Sequence, residues 1–187
     1  MGLATGADAQ SPPKRVRGTI AEVSADTVTV HTADGTDQTL KLAPDARIAS
    51  VRALTLADIK PGDYIGTAAA KQADGRLVAI EVTVFPENLR GVGEGQRPWD
   101  EGANSSMTNA NVDEVVTATS GRTLKLSYKG GTTEVDVPPD VPIVTPVPGD
   151  QSLLVPGKTV VAFMRPQADA TLMAAFLTVE KDGVKPP

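Results

Sequence analysis

Apolar and polar residues alternate with a period of two through most of the chain, the pattern of half-buried β-strands. Residues 27–31 show it clearly, and Asp34-Gly35 follows as a frequent hairpin-turn pair. Residues 38–42 then return as the partner strand, which Pro44-Asp45 is expected to end. No segment keeps a 3.6-residue apolar period through three turns. The pattern therefore predicts an all-β protein.

The same pattern recurs 95 residues later. The shift superimposes Pro44-Asp45 on Pro139-Asp140, Pro61-Gly62 on Pro156-Gly157, and Gln72-Ala73-Asp74 on Gln167-Ala168-Asp169. Identity this dense in one register predicts a duplicated unit. Each copy contains five strand segments and one short turn element, a set that is typical of a small closed or part-open barrel of the OB type.

The predicted organisation is two tandem, small OB-like β-barrel modules joined by a long Gly-rich loop. Residues 1–13 form a lead-in, 14–86 the first module, 87–108 the inter-module loop, 109–182 the second module and 183–187 a tail. We expect each module to close over its own interior of Val, Leu, Ile and Ala, because aromatic residues make up only 3% of the chain. A flatter β-sandwich built from the same strands is the alternative.

Proline is dense in the second copy between residues 138 and 148. Proline fixes φ and has no N–H, so this segment is expected to run extended and outside the hydrogen-bonded ladder. A stiff connecting loop is the leading interpretation, and a polyproline-type ligand is the alternative.

The N-terminus indicates export. Ala7-Asp8-Ala9 before Gln10 has the small-x-small form that signal peptidase recognises, although the basic start and apolar stretch of a signal peptide are missing. We interpret residues 1–13 as a signal-peptide remnant and a disordered lead-in, and a flexible Ala/Gly-rich terminus is the alternative. No apolar run approaches the ~20 residues that span a bilayer. The expected location is periplasmic or extracellular.

Net charge argues against a nucleic-acid partner. The chain carries a formal charge of −5, whereas nucleic-acid binders mass Lys and Arg on one face. The one basic cluster consists of Lys14, Arg15 and Arg17, which we interpret as a solvated flank of the first strand.

The segment between the two copies is the best candidate for a functional site. Periodicity stops there, and connections of this length without structure are uncommon unless they are functional or disordered. It contains the chain's only tryptophan. The leading hypothesis is that Arg97-Pro98-Trp99-Asp100 docks onto one or both barrels; a ligand site and simple disorder are the alternatives. The candidate ligand-binding residues are Arg90, Glu94, Arg97, Trp99 and Asp100.

The sequence contains few residues of the types that enzymes use for nucleophilic or metal-dependent catalysis. The chain has no cysteine and a single histidine, His31, so nucleophilic triads and zinc or copper sites are not expected. We predict no catalytic residues, no metal site and no cofactor. Two alternatives use carboxylates: binding of divalent cations and a carboxylate-dependent glycan hydrolase. Asp34, Asp37, Asp58 and Asp63 offer oxygen donors, but they match no known calcium loop, and solvated turns are their leading interpretation.

The repeated unit resembles the DUF5666 group of bacterial exported domains. The resemblance rests on Arg17-Gly18-Thr19-Ile20 with the hairpin strands after it, Ile59-Lys60-Pro61-Gly62-Asp63, and Gly75-Arg76-Leu77-Val78-Ala79. The whole chain is also similar to uncharacterised proteobacterial secreted proteins that carry a Gly-rich, Arg-Pro-Trp-Asp linker. The resemblance implies a small β-barrel module and an envelope location, and it supplies no catalytic residues.

Together these features predict an exported, non-catalytic binding or scaffold protein. Its partner would be a protein or glycan of the cell envelope, with no nucleic acid and no membrane span involved. The sequence does not identify the ligand.

Overall fold

The computed structural model describes residues 14–102, 104–118, 121–169 and 171–187. Within these ranges the chain is all-β, which confirms the predicted fold class, and helix is limited to single 3-10 turns. The expected signal-peptide remnant, residues 1–13, lies outside the described residues. The strands are β1 (Arg15–Val23), β2 (Thr27–Thr32), β3 (Asp37–Leu54), β4 (Tyr64–Lys71), β5 (Leu77–Phe85), β6 (Gly95–Pro98), β7 (Ser105–Ala118), β8 (Gly121–Tyr128), β9 (Gly131–Val137), β10 (Ile143–Pro148), β11 (Thr159–Pro166) and β12 (Leu172–Val179).

Ten of these strands close into two five-stranded rings. Ring one runs in the order β1–β2–β3–β12–β11 and returns to β1. Ring two runs in the order β7–β8–β9–β5–β4 and returns to β7. Neighbours are antiparallel except for the pairs β3–β12 and β5–β9, which are parallel. Closure leaves neither ring with a long exposed edge that could pair with another chain.

Each ring takes three strands from one copy of the repeat and two from the other. β4 and β5, from the first copy, complete ring two, while β11 and β12, from the second copy, complete ring one. The expectation that residues 14–86 and 109–182 each close over their own interior therefore differs from the observed strand pairing. The copies exchange their last two strands.

The length of β3 explains this exchange. Its 18 residues extend for about 60 Å at ~3.3 Å per residue, far beyond the width of a small barrel. Its first part pairs with β2, and its last part leaves ring one to pair with β10. The sequence prediction that Pro44-Asp45 ends the strand was wrong. Pro44 falls where the β3–β12 register shifts, and a missing N–H is tolerated at such an irregularity.

The crossing of β3 and β10 has two-fold symmetry. Val51 pairs with Pro146, its own counterpart 95 residues later, and the flanking pairs Ala49–Pro148 and Ala53–Val144 interchange under the same shift. A local two-fold axis through the Val51–Pro146 pair is the arrangement that a duplicated, strand-exchanged chain produces.

Only the second part of the proline-rich segment, Ile143–Pro148, is extended as expected, and it lies within the hydrogen-bonded ladder; residues 138–142 form a turn. β10 pairs with β3 along its length and with β5 at Ile143 and Val144. The Gly149 N–H donates to the Ile48 carbonyl, and alternate residues of a strand face the same neighbour. The backbone nitrogens of Pro146 and Pro148 therefore face away from β3. Both residues lie beyond the part of β10 that pairs with β5, so no hydrogen bond is lost there.

Both ring interiors are aliphatic and mix side chains of the two copies. Ring one buries Val16, Ile20, Val28, Val30, Leu40 and Leu42 with Leu154, Val160, Ala162, Met164, Ala174, Leu177 and Val179. Ring two buries Ile59, Ile65, Ala69, Ala79 and Val82 with Ala110, Val112, Leu124, Leu126, Val135, Val137 and Ile143. Separating the copies would expose both interiors.

Gly18 marks a close approach of β1 to β2. A Cβ at this position would lie 2.1 Å from the His31 carbonyl oxygen and 2.8 Å from Val30 Cγ1. We expect Gly18→Ala to lower the free energy of unfolding by about 1–3 kcal/mol, measured by urea denaturation, because the backbone must move to admit the methyl group. Thr19→Ala, at the exposed neighbour, should stay within about 0.5 kcal/mol of wild type. Equal effects would contradict the steric argument.

Candidate functional site

The segment between the copies carries secondary structure of its own. It contains a 3-10 turn, Glu87–Leu89, and strand β6, which pairs antiparallel with β7 and places Arg97 opposite Met107. The expectation of a structureless loop over residues 87–108 was wrong. Gly91 and Gly93 adopt positive φ, a conformation that glycine reaches without strain, and the chain turns there before β6.

This segment covers the outer face of ring two. Ile65 and Ala69 point into the ring, so the alternate residues Tyr64 and Ala68 point outward, yet both are buried. The Tyr64 hydroxyl and the Asn109 Nδ2 both donate to the Val92 carbonyl, at 3.1 and 2.9 Å. These contacts hold the turn around Val92 against β4 and β7.

Trp99 packs against Arg15, a cationic residue of ring one. The guanidinium carbon of Arg15, in β1, lies 3.8 Å from the centre of the Trp99 ring, and that of Arg97 lies 5.4 Å away. Contacts of a cation with the face of an indole are worth about 0.5–2 kcal/mol, more when the pair is removed from water. The tryptophan thus joins the inter-copy segment to ring one.

Ion pairs surround this stack. Arg15 binds Asp100 through two nitrogens, with Nε 3.4 Å from Oδ2, and its Nη2 lies 3.6 Å from Glu101 Oε1. Arg17, two residues further along the same strand face, pairs with the same Glu101 carboxylate. The Arg15 side chain is only 6% exposed and that of Glu101 only 16%, so these charges are screened far less than surface pairs.

Arg15 determines the direction of the pKa shift of Asp100. Partial burial by itself would raise the pKa of this carboxyl, but the hydrogen bond and charge of Arg15 outweigh it and hold the pKa below its ordinary value. Asp100 therefore stays ionised through the neutral range, and it serves as the counter-ion of Arg15.

Glu81 is the buried acid of this region. It lies on β5 and is 6% exposed, and burial together with the negative charge of Glu101 raises its pKa to about 7. Arg17 and Arg15 oppose that shift without cancelling it. Ring one, ring two and the inter-copy segment thus meet at one cluster, formed by Arg15, Arg17, Glu81, Trp99, Asp100 and Glu101. We call it the inter-ring cluster.

The predicted site residues separate into two groups. Trp99 and Asp100 belong to the inter-ring cluster, and Arg97 lies beside it, where burial lowers its pKa and its Nη1 donates to the Gly93 carbonyl at 2.9 Å. Arg90 lies elsewhere: it forms an ion pair with Glu87 and donates to Asn111 Oδ1 and to the Gly62 carbonyl.

Glu94 is the other residue outside the cluster. Its carboxylate accepts a hydrogen bond from the Lys129 N–H at 2.9 Å, in the hairpin between β8 and β9. The five residues thus contact β1, β7 and the β8–β9 hairpin at separate points, rather than surrounding one pocket.

Sequence reasoning missed Arg15, Arg17, Glu81 and Glu101. The interpretation of Arg15 as part of a solvated flank was wrong, because its side chain is buried between Trp99 and the carboxylates. Two signals were present: Arg15 and Arg17 share a strand face by the period of two, and Glu81 is the only charged residue of β5. Neither signal reveals the partner.

A cleft of about 870 Å³, lined mainly by polar and charged residues, opens at one end of ring two. Its walls are the β4–β5 hairpin, strand β6, the start of β7 and part of β9. The residues lining it are Lys71, Asp74, Gly75, Arg76, Leu77, Gln96, Arg97, Pro98, Asn104, Ser105, Ser106, Thr133, Glu134 and Asp136. Arg76 is neutralised by Asp74 and Asp136, at 2.8 Å each. The Ser106 hydroxyl is buried without a partner among the described residues.

Carboxylates suggested as cation ligands are engaged in turns. Asp34 accepts hydrogen bonds from Thr32 and Thr36, and these bonds lower its pKa. Asp58 caps its 3-10 turn by accepting from the N–H and hydroxyl of Thr55. Across the described ranges, no group of three or more His, Cys, Asp or Glu side chains could hold a metal ion.

His31 is hydrogen-bonded to Asp37 at 2.7 Å on the surface of ring one.

Among the residues that the structure describes, no helix is long and apolar enough to cross a bilayer.

Comparison with family models, with curated proteins and with solved structures found no match for this chain.

Proposed function

We propose that this chain is an exported, non-catalytic binding or scaffold protein whose ligand enters the cleft at the end of ring two. The cleft is the main support for the proposal, because its walls present amide and hydroxyl groups and balanced charge. The cleft volume of about 870 Å³ lies within the range of about 300–1,000 Å³ that small-molecule sites occupy. The partners we propose are a protein or a glycan of the cell envelope.

We further propose that both rings are OB-like barrels. In support, five strands form each ring, and the third and fourth strands in the ring order, β3 with β12 and β9 with β5, run parallel. The register also supports a strongly tilted barrel. Following paired residues once around ring two leads from Ser105 through Ala70, Val78, Asp136 and Thr123 to Val116, eleven residues further along β7. Barrels of this type bind oligosaccharides and oligonucleotides, and the charge of −5 favours the former by analogy.

Membership of the DUF5666 group and location in the periplasm or outside the cell remain part of the proposal. Their support is the set of turn-and-strand motifs together with Ala7-Asp8-Ala9.

The inter-ring cluster serves as a structural clamp in this proposal. Asp100 is the counter-ion of Arg15, and Arg15 also stacks on the face of Trp99, so both residues are engaged in contacts with ring one. A glycan hydrolase would need an acid and a second carboxylate that reach one substrate. Glu81 has the raised pKa of such an acid, but neither Glu81 nor Asp100 lines the cleft.

A thermal-shift screen tests the cleft. Neutral, amino and acidic oligosaccharides and short peptides would be added to the protein, with millimolar calcium or magnesium chloride as the metal arm. A ligand that prefers the folded state raises the melting temperature, and at a concentration of 100 Kd it adds about 2.7 kcal/mol of stability. We expect a shift from one of the organic probes and none from the metals.

The matched variants are Thr133→Trp, which fills the cleft, and Gln38→Trp, at the corresponding position of ring one. Thr133→Trp should abolish the shift and Gln38→Trp should preserve it. Absence of a shift with every organic probe, or a shift that survives Thr133→Trp, would count against a binding site in the cleft.

A further inference from the structure

A β-bulge turns the Glu81 side chain toward ring one. Ala68 of β4 faces Glu81, but the next residue, Ala69, faces Ala79, so β5 holds one extra residue at Ile80. Bulges of this kind re-aim a side chain. Glu81 shares the outer face of ring two with Tyr64 and Ala68, beneath β1 and the inter-copy segment, and is 6% exposed.

The groups that face Glu81 leave it without a cation of its own. The charges that act on the pKa of Glu81 are those of Glu101 and Asp100, in the inter-copy segment, and of Arg17 and Arg15, on β1. Both arginines already bind Asp100 or Glu101. Within the described chain, no donor hydrogen-bonds to the Glu81 carboxyl. An ionised Glu81 is therefore a third negative charge beside two cations, in a place with little access to water.

We propose that Glu81 acts as a proton-operated latch on the segment Trp99–Glu101. When Glu81 is neutral, two cations balance two carboxylates and the segment closes on β1. When Glu81 loses its proton, its charge repels the Glu101 carboxylate and weakens that closure.

The direction of the Glu81 pKa shift determines how the stability of the closed state depends on pH. The closed state raises the pKa of Glu81 to about 7, whereas an open, hydrated Glu81 returns toward 4.5. The closed state therefore holds the proton more tightly, so its stability is full below about pH 4.5 and falls as the pH rises toward 7. Asp100, whose pKa is lowered, is ionised throughout this window.

The latch also bears on the cleft, and this consequence rests on the proposed function. Trp99 follows directly on β6, and Gln96, Arg97 and Pro98 of β6 form one wall of the cleft. Release of the latch frees the end of that wall, so ligand affinity is expected to be higher at pH 6 than at pH 8.5.

Fluorescence of Trp99 tests the latch without any ligand, since it is the chain's only tryptophan and it stacks on Arg15. A titration from pH 4 to pH 9 should show one sigmoidal change in emission, with its midpoint between the open-state pKa of 4.5 and the closed-state pKa of about 7. Glu81→Gln, a neutral isostere, should keep the acid-form emission throughout. Glu101→Gln removes the repelling charge and should lower the midpoint.

His31→Gln is the control, because His31 is the only histidine and lies on the surface of ring one. It should leave the titration unchanged. A flat wild-type titration, or a transition that persists in Glu81→Gln, would overturn the latch, and circular dichroism checks that each variant is folded. Since no ligand is present, loss of the latch leaves the thermal-shift test of the cleft intact, and the reverse also holds.

Discussion

A chain cut once between its two copies is expected to remain a folded, undissociated pair of fragments. A specific protease site inserted after Pro86, where Pro86–Asn88 are exposed, would place β1–β5 on one fragment and β6–β12 on the other. Ring one then consists of three strands from the first fragment and two from the second, and ring two has the reverse composition. Separation would expose both aliphatic interiors, at about 25 cal/mol for each Å² of apolar surface.

The measurement is size-exclusion chromatography of the cut protein under native conditions. Both fragments should co-elute at the position of the uncut 19.4 kDa chain and separate only in denaturant. The melting temperature should become dependent on concentration after the cut, because unfolding then releases two molecules. The uncut insertion variant is the control. Two fragments that elute separately while still folded would show that each copy closes on itself, contrary to the strand pairing.

Arg15→Ala is expected to be among the most destabilising single substitutions outside the two ring interiors. The side chain is 6% exposed, stacks on Trp99 and neutralises Asp100 and part of the charge of Glu101. Its removal leaves Glu101, in the segment, and Glu81, on β5, with only Arg17 to balance them. Loss of one partner from a buried charge cluster costs about 3–5 kcal/mol. Because Asp100 is 62% exposed, we expect a loss on the order of 3 kcal/mol.

Urea denaturation at pH 7 measures this effect, and Arg165→Ala is the matched control. Arg165 also forms a two-point ion pair, with Asp45, but both side chains are about half or more exposed. Pairs in that setting contribute about 0–1 kcal/mol. If the two substitutions cost the same, burial of the inter-ring cluster has no energetic weight. Arg15→Lys, which keeps the charge but not the planar stacking group, should fall between them.

The candidate site was predictable only in part, and Trp99 and Glu81 show why. A lone tryptophan in a polar, Gly-rich segment indicates burial, because exposing so large an apolar surface is unfavourable. Its partner Arg15 lies more than 80 residues away in the chain, and nothing near Arg15 distinguishes it from a solvated basic residue. Glu81 is the only charged residue of β5, but the bulge that turns it outward depends on the pairing of β5 with β4.

The sequence by itself determined the strands, most of their turns and the duplication. These features are local: the period of two, Asp-Gly turns such as Asp34-Gly35, and identities at a fixed shift all depend on neighbours in the chain. Only the tertiary structure decided which strands close which ring. Because the copies resemble each other, a strand from either one offers nearly the same interior face, so the local pattern is equally compatible with separate and exchanged rings. The uninterrupted run of β3 into its pairing with β10 selects the exchanged arrangement.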